Sequence, residues 1–419
     1  MVYLNFIEPM ELLNGSYKIQ DVSVTDIAQK FGTPVYVYDA TIITRQIESL
    51  RSAFRSVDFR VKYAAKALTN VNILKLMRKN GVGVDVVSIE EARLALHAGY
   101  KPEEIMFTPN GVSFQEVTAA VELGVAINID NLPTLQKFGE RYGNSKPCSL
   151  RINPGIMAGG NYKISTGHLQ SKFGISSQQL QQILDVTNRY KINISGLHVH
   201  TGSEIGDVDV FLKVAEVLFT IAKNFPSLKF LDFGGGFKVA YKEGDSITDI
   251  ESLGARLGEA FNKFCSDYGR KLELWVEPGK FLVSEAGHLL VKANVIKETP
   301  ALTFVHVNSG LNHLLRPMMY DAYHDIVNVS NPAGTKKKYT VVGYICETDT
   351  IGTDRNLNET REGDILAIRN AGAYGFSMSS NYNSRLRPAE ILVINGKGVL
   401  IRKQESFDDL IKDQVEVDI

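Results

Sequence analysis

Between residues 55 and 280, short runs rich in β-branched and aromatic residues alternate with longer stretches whose apolar positions recur at helical spacing. Eight such runs can be counted: "RVKYAAK", "VGVDVVS", "EIMFTPN", "GVAINID", "CSLRINP", "SGLHVHTGS", "KFLDFGGG" and "LELWVEPGK". The segments between them, such as "NVNILKLMRKN", "IEEARLALHAG" and "FQEVTAAVELG", each carry one apolar stripe. The last two end in the glycine expected just past a helix. Strand and helix recurring eight times predict a (β/α)8 barrel over residues 36–280 rather than an open doubly wound sheet, which commonly has fewer strands.

Past residue 285 the helical period gives way to "HLLVKANVIKE", "LTFVHVNS", "KYTVVGYICE", "GDILAIRNAG" and "AEILVINGKGVLIRK". The last contains Asn395-Gly396, a two-residue hairpin turn. Residues 281–419 are therefore expected to form a mostly antiparallel β domain. Residues 1–35 hold two strand-like runs, "YLNFIEPMELL" and "SYKI", and a short helix, "TDIAQKFG"; periodicity leaves open which domain they join.

At 419 residues, 44% hydrophobic and 22% charged, the chain is long and apolar enough for one large domain and a smaller one. A formal net charge of -1, with no basic run longer than "TKKKY", argues against nucleic acid or an anionic membrane surface as partner and for a small ligand. No apolar stretch approaches the roughly 20 residues of a membrane span, and "MVYLNFIEPMELL" lacks a leader pattern, so the expected compartment is the cytoplasm. The three cysteines, Cys148, Cys265 and Cys346, are too scattered for a disulfide framework or a zinc knuckle.

Barrel enzymes keep their chemistry at the carboxyl ends of the strands. Reading those ends gives Lys66, Asp85 and Ser88, Asn110, Asp130, Arg151 and Asn153, His198 and His200 with Ser203, Gly234 to Gly236, and Glu277 with Lys280. A lysine closing an apolar run would cost several kcal/mol if buried without a partner, so "VKYAAKAL" implies a use for the Lys66 amine. A lysine that merely snorkels from a strand end is the plain alternative. The glycines after the seventh strand and "EPGK" after the eighth stand where this architecture binds phosphate, although three glycines alone would make only a tight turn.

A buried lysine, a phosphate cradle and a carboxylate on the eighth strand together suit pyridoxal phosphate. Lys66 would form the Schiff base and Glu277 would hold the pyridine nitrogen protonated. The "HVH" of the sixth strand also raises a metal pair. That reading needs ligands at other strand ends, and His97, His168 and His288 fall in predicted helices or loops, so no metal is expected. His200 is assigned to stack on the cofactor ring, Ser203 to the phosphate, and His198 to the packed core.

Seven motifs in order, "YAAKA", "HTGSEI", "DFGGGF", "EPGK", "RPMMYDAYH", "GYICET" and "GAYGFSMSSNYN", closely resemble those of the diaminopimelate decarboxylases, fold-type III pyridoxal-phosphate enzymes related to the ornithine and arginine decarboxylases. The resemblance covers nearly the whole chain and implies an alanine racemase-like fold in which residues 1–35 pack with the β domain. It implies that Lys66, His200, Ser203, Gly234, Gly235, Gly236, Glu277, Pro278, Gly279, Lys280 and Tyr374 hold the cofactor. Lys280, Arg316, Tyr320, Glu347 and Tyr374 would hold the substrate, with Arg316 and Tyr320 on its distal carboxylate and Glu347 on its distal ammonium. Cys346 would return a proton to the carbanion, and Cys346 and Glu347 would reach the partner's barrel in a homodimer.

The family usually has arginine where this chain has Lys280, which keeps the charge and loses the planar fork. The implied reaction is decarboxylation of meso-2,6-diaminopimelate to L-lysine. Ornithine, arginine or D-amino-acid decarboxylases of the same fold have no distal carboxylate for Arg316 and Tyr320 to recognise. An alanine-racemase-like isomerase would pair the pyridine nitrogen with arginine rather than with Glu277. A cofactor-binding protein without activity would leave the C-terminal domain unused.

Overall fold

The computed structural model describes residues 9–159 and 166–419. The chain forms two compact units: Arg45–Ala240 with Ser246–Leu282, and a second containing the residues up to Thr44, Tyr241–Asp245 and Val283–Ile419.

In the first unit all eight predicted runs are strands: Phe59–Ala64, Gly83–Val86, Ile105–Phe107, Ala126–Ile129, Cys148–Asn153, Ile194–Val199, Phe230–Asp232 and Glu273–Val276. Each pairs in parallel with the next, and the eighth returns to the first with Val276 opposite Val61, closing a barrel. The strands read as near-continuous apolar runs because helices cover their outer face and side chains fill the inner one. Ser88 serves as a helix cap, its side chain accepting the Glu91 N–H at the start of the helix Ile89–His97.

Inward-facing side chains fall into layers. Toward the amino ends of the strands, Phe230 stacks on Trp275 with ring centroids 3.7 Å apart, and the Lys62 ammonium lies 4.5 Å from the centroid of the Trp275 ring. Gly196 faces them, where a Cβ would come within 2.2 Å of the Phe230 ring. One layer nearer the carboxyl ends stand Ala64, His198 and Asp232, with Glu277 just past the eighth strand.

The β-rich unit holds a nine-stranded sheet. Gly287–Glu298 pairs antiparallel with Val35–Asp39, Thr303–Val307 and Ile365–Ile368. Two pairings are parallel: Val35–Asp39 with Ala389–Ile394, and Thr303–Val307 with Lys336–Val342. The predicted hairpin joins Ala389–Ile394 to Lys397–Arg402, with Asn395 and Gly396 at φ 51° and 68°, both left-handed as a type I′ turn needs.

Three details differ from the sequence reading. Val35–Asp39, all five residues buried, is an interior strand of this sheet, so the units divide at Thr44 rather than at 36. The run "KYTVVGYICE" leaves the sheet at Val342, because Asp349 draws the next residues into a turn: its carboxylate accepts the Leu311 and Ile345 N–H groups. His288 lies within the strand Gly287–Glu298. The helix Val24–Phe31 and the strands Glu11–Leu13 and Ser16–Ile19 belong to this unit; the start of "YLNFIEPMELL" lies outside the described residues. Ile19, Val24, Ile27 and Ala28 share a core with Val37, Leu290 and Ile391.

Candidate active site

At the carboxyl ends of the barrel strands lies a cavity of about 330 Å³, lined by Lys66, Asp85, Val87, Thr108, Asn110, Arg151, Thr166, Phe173, His198, His200 and Glu277. The first strand stops at Ala64, and Ala65–Ala67 form a single 3-10 turn whose Leu68 carbonyl accepts the Tyr63 hydroxyl at 3.0 Å. That turn lifts Lys66 out of the strand. Its side chain is exposed, contrary to the buried placement expected, and faces the cavity. The buried lysine of this run is Lys62, 7% exposed, whose ammonium donates to the Glu104 carbonyl at 3.0 Å.

Glu277 is the centre of charge. Its Oε2 lies 3.1 Å from His198 Nε2, and both groups are buried. Burial alone would raise the Glu277 carboxyl, but the His198 hydrogen bond and the Lys66 charge hold it below the usual carboxylate range. Burial holds the imidazole of His198 below its usual range, so the contact is a neutral Nε2–H donating to a carboxylate. His200 is also held down, first by desolvation and then by Lys66 and Arg151. Asp85 and Asp232 shift the other way, raised first by burial and next by the Glu277 charge.

The loops after strands six, seven and eight interlock beside this cluster. Ile205 N–H donates to the Gly236 carbonyl at 2.9 Å, and Glu277 N–H to the Gly234 carbonyl at 2.6 Å. A Cβ on Gly235 would lie 2.3 Å from the Glu277 carbonyl oxygen, so only glycine lets the backbone pass here. Gly234 is left-handed at φ 66°, and its N–H donates to Asp232 Oδ1 at 2.8 Å. Ser203 stands in the first of these loops, next to Glu204, and Pro278 and Gly279 stand in the last. Lys280 Nζ meets Glu204 Oε1 at 2.6 Å, an ion pair at the corner where the family has arginine.

The other candidate residues lie in the β-rich unit. Arg316 is buried, with Nη1 3.1 Å from His324 Nε2 and its guanidinium carbon 4.8 Å from the centroid of the Tyr241 ring. Tyr320 ends the helix Arg316–Tyr320 and is half-buried. Cys346 and Glu347 are exposed on the turn closed by Asp349, not at a strand end. Asn383 Nδ2 approaches Cys346 Sγ at 2.9 Å, and the Tyr382 hydroxyl donates to Glu347, so the segment 380–385 arranges both groups. Tyr374 is half-buried and left-handed at φ 57°.

Residues 40–284 match the family model for the pyridoxal binding domain of pyridoxal-dependent decarboxylases. A curated diaminopimelate decarboxylase of Methanothermobacter thermautotrophicus is 37% identical over 410 residues, 96% of this chain and 96% of its own length. The chain belongs to the diaminopimelate decarboxylase family. The Bacillus subtilis member is 35% identical, covering 95% of each chain. The crystal structure of the member from M. jannaschii gives a TM-score of 0.90 at 31% identity over 98% of both chains, and it has also been solved with L-lysine.

The cofactor of the family is pyridoxal phosphate, and the site fits it. An amine, an ionised buried carboxylate and an imidazole face one cavity, and beside it lie glycine loops whose approach a Cβ would block. Reading the sequence assigned His198 to the core. The structure places it in the site, because successive inward positions on a strand lie two apart and His198 and His200 share one face. Asp85 and Arg151 were visible as strand-end residues without a role; both line the cavity. Asp232 was masked by the glycines that follow it. Its signal was parity, since it lies one inward step beyond Phe230 on the seventh strand.

Proposed function

We propose that the chain decarboxylates meso-2,6-diaminopimelate to L-lysine, as a cytoplasmic homodimer in which Cys346 and Glu347 of each subunit complete the cavity of the other. The observation that carries this reading is the convergence of Lys66, His200 and the ionised Glu277 on one cavity, in a chain whose relatives carry that activity in their names along their whole length. A neighbour solved with L-lysine agrees with lysine as product. The cysteines are all free, which suits a reducing compartment, and no described helix is long and apolar enough to cross a membrane.

Bound pyridoxal phosphate supplies an electron sink for the pair released when carboxylate departs as carbon dioxide. Lys66 would provide the amine that holds the cofactor. Glu277, fixed by His198, would present negative charge to its ring nitrogen. His200 would pack against the ring, and the loops carrying Ser203, Gly234–Gly236 and Pro278–Lys280, together with Tyr374, would hold the phosphate. Arg316, Tyr320 and Glu347 read the distal end of the substrate. Cys346 Sγ delivers the proton to the carbon that lost its carboxylate.

Carbon dioxide release should be measured side by side from meso-diaminopimelate, L-ornithine, L-arginine and D-lysine. Release from diaminopimelate alone, with L-lysine formed, is expected. Release from ornithine or arginine and none from diaminopimelate would overturn the substrate assignment.

The shared site has its own test. After subunit exchange, inactive Lys66→Ala mixed with inactive Cys346→Ala should regain up to about a quarter of native activity, since one site in each mixed dimer has both groups. Mixed dimers verified by tagged copurification but no more active than the parents would refute it.

The Lys280–Glu204 pair sets a sign for cofactor affinity. Glu204 places a negative charge beside the cation meant for the phosphate. Glu204→Gln should therefore tighten binding of pyridoxal phosphate to the apoprotein by roughly threefold, and Lys280→Gln should weaken it by roughly tenfold or more. Absorbance titration reads both. A weaker Glu204→Gln variant would mean that the carboxylate instead orients Lys280.

A further inference from the structure

The inner layer formed by strands six to eight holds one acid, Asp232, that the reaction as described does not use. His198, Asp232 and Glu277 bring polar atoms within 4.8 Å of one another. Asp232 is 1% exposed and Glu277 7%. Asp232 Oδ1 is occupied by the Gly234 N–H and Glu277 Oε2 by His198. Asp232 Oδ2 and Glu277 Oε1 are both buried, and neither meets a donor among the described residues. The two carboxyl groups nevertheless bring oxygens within 4.8 Å of each other. Carboxylates offer only acceptors, so two of them buried in contact repel unless a proton lies between them.

We propose that Asp232 is a neutral carboxylic acid whose proton bridges to Glu277, making it a positioning residue for the carboxylate that faces the cofactor ring. This rests on the reading of Glu277 as the ring-facing group. The proton belongs on Asp232 rather than on Glu277 because their surroundings are unequal. Glu277 already receives the His198 N–H and faces Lys66, both of which favour its anion, whereas Asp232 Oδ2 meets no donor among the described residues.

The other charged groups around the pair do not reverse this. Asp232 is the acid that Lys62 feels most strongly, but the Lys62 ammonium is spent on the Glu104 carbonyl and the Trp275 face. Arg151 lies against the Phe173 ring, 4.6 Å from its centroid. Asp85 adds a further acid on the same side, and His198 and His200 are held neutral. The consequence is a continuous link from the Gly234 N–H through Asp232 to Glu277, so that the glycine loop and the carboxylate move as one piece. An acid donating to Glu277 also disperses its charge without removing it.

The test uses the whole protein with isotope-labelled aspartate. Infrared difference spectra of native protein against Asp232→Asn, at neutral pH with and without pyridoxal phosphate, should show the C=O stretch of a protonated, buried carboxyl that the variant lacks. Asp232→Asn keeps an acceptor for Gly234 and a donor for Glu277 and cannot ionise. Its kcat pH profile should therefore keep its native shape, while Asp232→Ala lowers kcat by roughly tenfold or more with a smaller change in KM. Should alanine fail to fold, the infrared band and the asparagine pH profile still decide.

Absence of the band, or a displaced pH profile in Asp232→Asn, means an ionised Asp232 and overturns the proposal. The band present together with full turnover in Glu277→Gln would instead reject the ring-facing role of Glu277 while leaving the shared proton in place.

Discussion

Replacing Lys66 with alanine should reduce carbon dioxide release from diaminopimelate by on the order of 10³-fold or more, the scale on which enzymes lose activity with a covalent catalytic group. Lys66 is the one lysine among the described residues lining the cavity. It stands on a one-turn helix that lifts the amine clear of the barrel wall, and its exposure means that truncation removes little packing. The variant should fold and melt near the native temperature. Borohydride treatment of native protein followed by peptide mapping should fix the cofactor on Lys66. Lys62 is the informative control: it lies on the strand that leads into this turn, but its amine is held one layer deeper by Glu104 and Trp275. A label on Lys62, or substantial turnover in Lys66→Ala, would remove Lys66 from its role.

Glu277→Gln should lower kcat by on the order of 10²-fold while weakening cofactor binding far less, because the substitution keeps shape and hydrogen-bonding capacity and removes only charge. The loss is large because the carboxylate acts in a buried site, where a charge that forms or disappears during reaction is weakly screened. Stopped-flow turnover together with equilibrium titration of pyridoxal phosphate separates the two effects. Equal losses in kcat and affinity would assign Glu277 to binding alone, and unchanged turnover would deny it an electrostatic part in the reaction.

The sequence was legible wherever a short-range pattern carried the information. Each of the eight barrel strands lies inside a run identified by composition and period or starts one residue before it, since a strand buried on both faces must be apolar along its length. The Asn395-Gly396 hairpin was equally plain, because two consecutive left-handed residues leave few choices of side chain. Lys66, His200 and Glu277 could be selected as strand-end residues before any contact was known. The strand Thr350–Asn358, by contrast, was not among the predicted runs: "TIGTDRNLN" is polar at most positions, and its pairing with Lys336–Val342 holds it in the sheet.

By itself, then, the sequence determined the barrel and the β-rich unit and singled out the strand-end groups proposed to hold a phosphorylated aldehyde cofactor, because periodicity and strand ends are local properties of a chain. Only the tertiary structure decided which lysine is buried and which is presented, Lys62 against Lys66, since that turns on where a strand stops. It alone moved His198 from core to site, tied Lys280 to Glu204, and set Asp232 against Glu277. Each of those facts joins residues that are 45 to 79 positions apart in the chain. Protonation and charge pairing depend on distance in space and on the exclusion of water, and neither is written in the order of the residues.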